Sequence, residues 1–178
     1  MLKDENIALE NITKWTVGSG PGSFTGMRLA AGLVEGLTFS KTNVHTRCVP
    51  TAFAMGMALD SSSNDKIAAI FDGRNKEILL YELENNNREI QATGVTEVLN
   101  QQQAEIFFTN NKFASYVAFT NEATAIEKIV PASISNSINY LKHIPTENLI
   151  KSNLPYTDNL TELVYIRPAV YAKKQTKK

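Results

Sequence analysis

Hydrophobic and polar positions follow two different periods along the chain. Residues 14–17, Lys-Trp-Thr-Val, form a short β-type run that leads straight into a glycine-rich turn. From 25 to 39 the period lengthens. Ala30, Leu33, Val34 and Leu37 fall at helical spacing and predict a helix with one apolar stripe. Residues 43–49 predict a second strand, and Pro50 opens a helix over 51–59. The polar run 61–65 reads as a linker. Beyond it, 66–71 and 77–83 predict two strands around Asp72-Gly73-Arg74-Asn75-Lys76, an Asp-Gly hairpin signal. Asn85-Asn86-Asn87 marks a second turn. The pattern then predicts a helix over 95–104, a strand over 113–119 and a helix over 121–129 ended by Pro131. A helix over 146–151 opens at Pro145, and a last strand over 163–167 is stopped by Pro168. Residues 1–12 read as a helix end and connector. Alternating strands and helices predict an α/β or α+β chain in two units, 1–60 and 64–178.

Charge adds little to that picture globally. Lys plus Arg number 18 and Asp plus Glu 18, so no overall pull toward nucleic acid or membrane is expected. Four of the cations, Lys173, Lys174, Lys177 and Lys178, sit at the very end, which leaves the preceding body mildly acidic. Such a tail reads as a solvated, frayed end or, alternatively, a weak RNA or phosphate contact. The single cysteine, Cys48, excludes an intrachain disulfide framework and a multi-cysteine zinc site. His45 and Cys48 together supply only two ligands, and His143 is isolated, so metal chemistry is not expected. No stretch approaches the roughly 20 apolar residues of a membrane span, and the first residues are not a secretory signal. A reduced, cytoplasmic protein is expected.

The glycine-rich turn, 18–26, is the sharpest chemical feature. A strand, a run of glycines and then a helix start can aim backbone N–H groups at an anion, with Gly20, Gly22, Ser23 and Thr25 as the candidates. The same pattern also serves simply to pack a tight turn. It carries neither the Gly-Lys-Ser/Thr of a phosphate-binding loop nor a dinucleotide fingerprint, and Ser23 reads as a helix N-cap. Asp72, Arg74 and Glu77 surround the hairpin. Two carboxylates there could act as an acid–base pair, or the three could be a turn aspartate and a solvated cross-strand ion pair. Glycines inside the 25–39 helix, Gly32 and Gly36, and the series Gly22, Gly26 and Ala30, cost helix stability and suggest close approach of another backbone.

Gly20-Pro21-Gly22-Ser23-Phe24-Thr25-Gly26-Met27-Arg28 resembles the Gly-Pro-Gly-Ser-Phe-Thr-Gly-x-Arg signature of the TsaB (YeaZ) family. Residues 68–78 resemble that family's Asp-Ala-Arg-x-x-Glu-Val hairpin, and 143–149 its Pro-x-x-x-x-Leu helix start. Residues 162–167 resemble its Glu-Pro-x-Tyr-Leu-Arg end, with Leu163 in place of proline. Residues 130–142 are poorly matched. The resemblance implies an actin/Hsp70-like (RNase H-like) two-lobed α/β fold, here with the first lobe N-terminally truncated, because the family's leading strands and long helix would precede Met1. It implies a non-catalytic subunit, also described as an inactive glycoprotease homologue, that docks on the catalytic TsaD in tRNA threonylcarbamoyladenosine synthesis. TsaE and TsaC complete that pathway. Neither cofactor nor metal is implied, and no direct tRNA contact is expected. Gly22, Gly26, Ala30, Leu33, Gly36 and Leu37 would form the docking face, which could also make a homodimer through helix 25–39. Two other readings stay open: a nucleotide- or phosphate-binding protein without hydrolysis, and a remnant with no part in tRNA modification.

Overall fold

The computed structural model describes residues 7–87 and 89–166. A short 3-10 turn, Leu9–Asn11, precedes β1 (Lys14–Gly18), α1 (Phe24–Thr38), β2 (His45–Val49) and α2 (Thr51–Gly56). The chain continues through β3 (Lys66–Arg74), β4 (Glu77–Asn86), β5 (Glu89–Asn100), α3 (Gln101–Asn110) and β6 (Ser115–Phe119). The last elements are α4 (Ala123–Ile126), α5 (Ala132–Ser135), β7 (Ile138–Leu141) and α6 (Thr146–Lys151). β1 and β2 form a parallel pair, and the other strands a five-stranded sheet in the order β5-β4-β3-β6-β7. β3, β4 and β5 run antiparallel as a meander, whereas β6 and β7 follow β3 in parallel.

Strand periodicity splits the core of the larger sheet. Ile67, Ala69 and Phe71 of β3 face one side, with Tyr81, Leu83, Ile90 and Val117. Ala68 and Ile70 face the other, against Ile78, Leu80, Phe108 and Ile126. The first face is covered by α2, every residue of which is buried. A helix that is apolar all round must be enclosed, and α2 reaches from the β1–β2 unit into the larger sheet. The two units therefore share a core. A third, smaller cluster gathers Val17, Ala31, Val34, Cys48 and Leu160.

Several boundaries move from the sequence pattern. The expected helix over 95–104 is strand as far as Asn100, because residues 96–100 pair with β4. Tertiary pairing overrides the local pattern there. α3 starts only at Gln101, behind a capping box in which Asn100 and Gln103 bond each other's backbone. The expected helix over 121–129 shrinks to the 3-10 turn Thr120–Glu122 and α4. Residues 163–166 are not a strand, and Arg167 and Pro168 lie outside the described residues, as do the terminal lysines. β7 and α5 occupy the stretch that the family likeness matched poorly.

One side chain binds the small sheet to the chain after α6. Arg47 of β2 is 4% exposed, and among the described residues no carboxylate bonds it. Its Nε donates to Thr16 Oγ1 at 3.0 Å, Nη1 to the carbonyls of Ser152 and Leu154 at 2.8 and 2.6 Å, and Nη2 to those of Ile150 and Leu149 at 2.7 and 3.3 Å. The Tyr156 ring covers it at 4.5 Å. Arg47→Met would leave these acceptors without their donors. A loss of about 3–5 kcal/mol, the scale for breaking a buried charged network, is expected as a lower urea midpoint. A change below about 1 kcal/mol would show that water replaces the guanidinium without cost.

Candidate functional site

The glycine turn shapes a cleft between the two sheets. Gly20 sits at φ +99°, and a Cβ there would run into Met27 Sδ, so both conformation and space call for glycine. Its carbonyl accepts from Thr51 N at 2.6 Å, and Ser19 O accepts from Val164 N at 2.8 Å. The turn is thus pinned to α2 on one side and to the 163–166 segment on the other. Ser23 caps α1 as expected, its Oγ accepting from Gly26 N at 3.3 Å.

Two connected depressions open from this turn, of about 430 and 580 Å³, sharing Pro21, Gly22, Ser23, Met27, Phe71 and Glu122. The first is also lined by Gly18, Phe119, Lys142 and His143, at or just beyond the carboxyl ends of β1, β6 and β7. Ligand clefts of α/β sheets form at those ends, where connections diverge. Of the anion-binding candidates, Gly20, Gly22 and Ser23 line the cleft, while Thr25 is exposed on α1 outside both linings.

The acids near the cleft are held by neighbours. Asp72 Oδ2 pairs with Arg74 Nη1 at 2.8 Å, and Asp72 Oδ1 accepts from Arg74 N at 2.8 Å. Glu122 Oε2 accepts from Asp72 N at 3.0 Å. Burial pushes the Glu122 carboxyl above the usual range; the Asp72 N–H bond works against this, and the Asp72 charge adds to it. Sequence reasoning missed Glu122, Lys142 and His143 as cleft residues. Each follows a parallel strand by a few positions, but only the sheet order shows that the strands end at one place. Among the described residues no three His, Cys, Asp or Glu side chains come near enough to share a metal ion, and no helix is long and apolar enough to cross a membrane.

The docking candidates other than Gly22, which sits in the turn, lie on α1, whose orientation differs from the expected stripe. Met27, Ala31 and Val34 are buried. Of the predicted stripe only Val34 is among them; Ala30 and Leu37 are half-buried and Leu33 is 60% exposed. Leu29 is 71% exposed on the same outward side. No atom stands within 4 Å of a Cβ built on Gly22, Gly32 or Gly36, and Gly26 meets only its own cap residue Ser23. Nothing among the described residues uses the notches that these glycines make. At the helix start the Arg28 guanidinium lies 4.0 Å from the Phe24 ring, and its Nε donates to Tyr165 Oη at 3.2 Å, clipping the last described segment to α1.

A two-stranded and a five-stranded sheet with a cleft at the carboxyl ends of their parallel strands make a mixed α/β fold of actin/Hsp70-like type. A family model described as TsaD: tRNA N6-adenosine threonylcarbamoyltransferase matches residues 1–159, and the chain belongs to that family. It is 25% identical over 190 residues to the tRNA threonylcarbamoyladenosine biosynthesis protein TsaB of Haemophilus influenzae, covering 98% of this chain and 78% of that protein. YeaZ from Pseudomonas aeruginosa shares the fold with a TM-score of 0.60 at 22% identity, over 84% of this chain and 68% of that one. A second structure, of a Pseudomonas aeruginosa protein described by its similarity to peptidase YEAZ, gives 0.61 over the same shares. The TsaB (YeaZ) likeness of the glycine signature is thereby borne out.

Glu122 gives a pH test of the cleft. Its proton is held at higher pH in the folded than in the unfolded chain, so its contribution to stability falls as pH rises through that window. Glu122→Gln removes the titration. As pH rises through and above the ordinary glutamate range the wild type should therefore lose stability relative to the variant in urea melts. A pH-independent difference would mean that the carboxyl holds its proton no more tightly in the folded than in the unfolded chain.

Proposed function

We propose that this chain is a non-catalytic, TsaB-like subunit that supports a TsaD-type transferase in making N6-threonylcarbamoyladenosine at position 37 of tRNA, through protein docking. The observation that carries this reading is the outward face of α1, where Leu29 and Leu33 are exposed beside the open Gly32 and Gly36. Neighbouring exposed leucines on one helix face form an apolar patch of the kind that marks an interaction site, and glycine notches let a second helix approach closely. Gly22, Gly26, Ala30 and Leu37 border that face. The partner is the TsaD-type subunit, with TsaE as a further member of the assembly, and a second copy of this chain could use the same face as a homodimer. The cleft acids fit a supporting role, because Asp72 is paired with Arg74 and Glu122 is bonded to backbone. A phosphate-bearing ligand held without hydrolysis is the second reading, favoured by Lys142 and the α1 start lining one depression. Measurable ADP binding by calorimetry that Lys142→Ala weakens would support it; no heat would dismiss it.

Leu29→Glu/Leu33→Glu should leave the melting temperature within a few degrees of wild type, since both side chains are exposed. It should lower affinity for the TsaD-type subunit by at least about 100-fold, two leucines at about 1.5 kcal/mol or more each. Undiminished co-purification would refute the docking face. Gly32→Ala and Gly36→Ala should each raise stability by about 1 kcal/mol, because their Cβ atoms meet nothing in the chain. If the glycines serve docking, the same changes weaken it.

A further inference from the structure

We infer that the tip of the β3–β4 hairpin and the end of α4 form a binding site for the phosphate backbone of RNA; the inference rests on the function proposed above. Arg74, Asn75 and Lys76 from the hairpin, Gln101 at the start of α3 and Lys128 just past α4 line a depression of about 490 Å³, with Ala125 and Ile129 in its wall. It shares Asp72 and Arg74 with the second depression of the glycine-turn cleft, but it includes no residue of the glycine turn or of α1.

Its charge is one-sided. The acid in the lining, Asp72, is already neutralised by Arg74 at 2.8 Å, and its side chain is only 9% exposed. Lys76 and Lys128 make no ion pair with a described residue. The lining therefore carries a net surplus of two cations, although the chain as a whole is neutral. Asp72 also fixes the base of the arginine, because it bonds both the Arg74 guanidinium and the Arg74 backbone N–H. The guanidinium, on a side chain 82% exposed, keeps further N–H groups for a ligand. Apolar Ala125 and Ile129 beside the cations lower the local dielectric and strengthen their attraction for an anion.

The hairpin holds these cations at a conformational cost. Arg74, Asn75 and Lys76 have φ of 62°, 51° and 62°, three successive non-glycine residues in the left-handed region. Asparagine tolerates it; arginine and lysine are disfavoured there by about 1 kcal/mol or more each. Two-residue hairpin turns favour glycine at the second position, and this one has Lys76. Gly73, where a Cβ would lie 2.9 Å from Glu77 O, locks the strand just before the tip. The favoured ligand is RNA rather than a phosphopeptide. The cations come from two separate elements with the amides of Asn75 and Gln101 beside them, a pattern suited to successive phosphates and sugar hydroxyls.

The test uses the full chain, alone and with its TsaD-type subunit, and a fluorescein-labelled tRNA anticodon stem-loop read by anisotropy over a range of KCl concentrations. Lys76→Glu/Lys128→Glu should weaken binding at least about tenfold and flatten the salt dependence by roughly 1.5 in log–log slope, the loss of two phosphate contacts. Lys76→Arg/Lys128→Arg should restore both. The terminal lysines are the same in every variant, so the difference belongs to this site. A DNA hairpin of the same sequence and free inorganic phosphate serve as competitors. Displacement by unlabelled RNA that the DNA hairpin and millimolar phosphate do not match supports an RNA site; binding of phosphate without RNA binding overturns it. Equal affinity and slope in wild type and the glutamate variant also overturn it, as does absence of RNA binding in both preparations. The two proposals fail separately. The glutamate variant should still co-purify with the TsaD-type subunit, and if it does not, the patch is a protein interface and the RNA site is wrong.

Discussion

The placement of the glycine turn depends on how the Arg47 guanidinium is satisfied. β1 and β2 alone are a two-stranded parallel pair, an arrangement too small to be stable without cover. The cover comes from chain far along the sequence, the end of α6 and the residues after it, which Arg47 gathers through four carbonyls. The carbonyls that close a helix lack intrahelical donors and carry its negative dipole end. A buried cation facing them is therefore compensated without a carboxylate. Asp158 extends the attachment along β2, accepting from Thr46 N at 2.9 Å while its own N–H bonds Thr46 O at 3.0 Å. The Thr46 N–H bond, and then His45, hold its carboxyl below the usual range.

From that anchorage the geometry of the cleft follows. The chain leaving Arg47's acceptors passes Leu160 in the small core and reaches Val164, whose N–H bonds Ser19 O beside the turn. On the other side α2 is enclosed between the small unit and the β3–β6 surface, and Thr51 N bonds Gly20 O. The turn is held from both directions, so the α1 start and the ends of β3, β6 and β7 keep a fixed relation. Rigid placement of this kind suits a scaffold: cleft and outward helix face are set by the same buried contacts, with α1 inward on Val34 and outward on Leu33.

What could be read in the sequence was whatever depended on neighbours along the chain. The Ser23 cap, the Pro50 and Pro145 helix starts, the glycine signature and the hairpin after residue 71 all declare themselves within a few residues, although the hairpin turns at Asn75-Lys76 and the expected Asp-Gly turn, Asp72-Gly73, lies within β3. β5 could not be read, because the residues at 95–100 become strand by pairing with β4, a partner that no local window contains. The α1 stripe was wrong by a rotation for a related reason. Spacing identifies a helix, but its buried side is chosen by what lies beneath, here Val17, Cys48 and Leu160. Glu122, Lys142 and His143 carried no motif at all; sheet order alone brings them together.

Charge shows the same limit in another form. Balanced totals of 18 and 18 correctly describe the long-range field, which vanishes beyond about a Debye length in any case. They say nothing of a concave patch a few ångströms across. Arg74 and Lys76 are close in sequence, yet neighbouring acids at 72 and 77 make the segment read as neutral. Folding removes one of those acids from the balance by turning Asp72 inward onto Arg74, and it brings Lys128 to the same depression from fifty-odd positions away. Net charge is conserved in that rearrangement while its distribution is not. For a chain of zero formal charge, recognition of an anion must therefore be sought in what the fold neutralises locally and what it leaves bare.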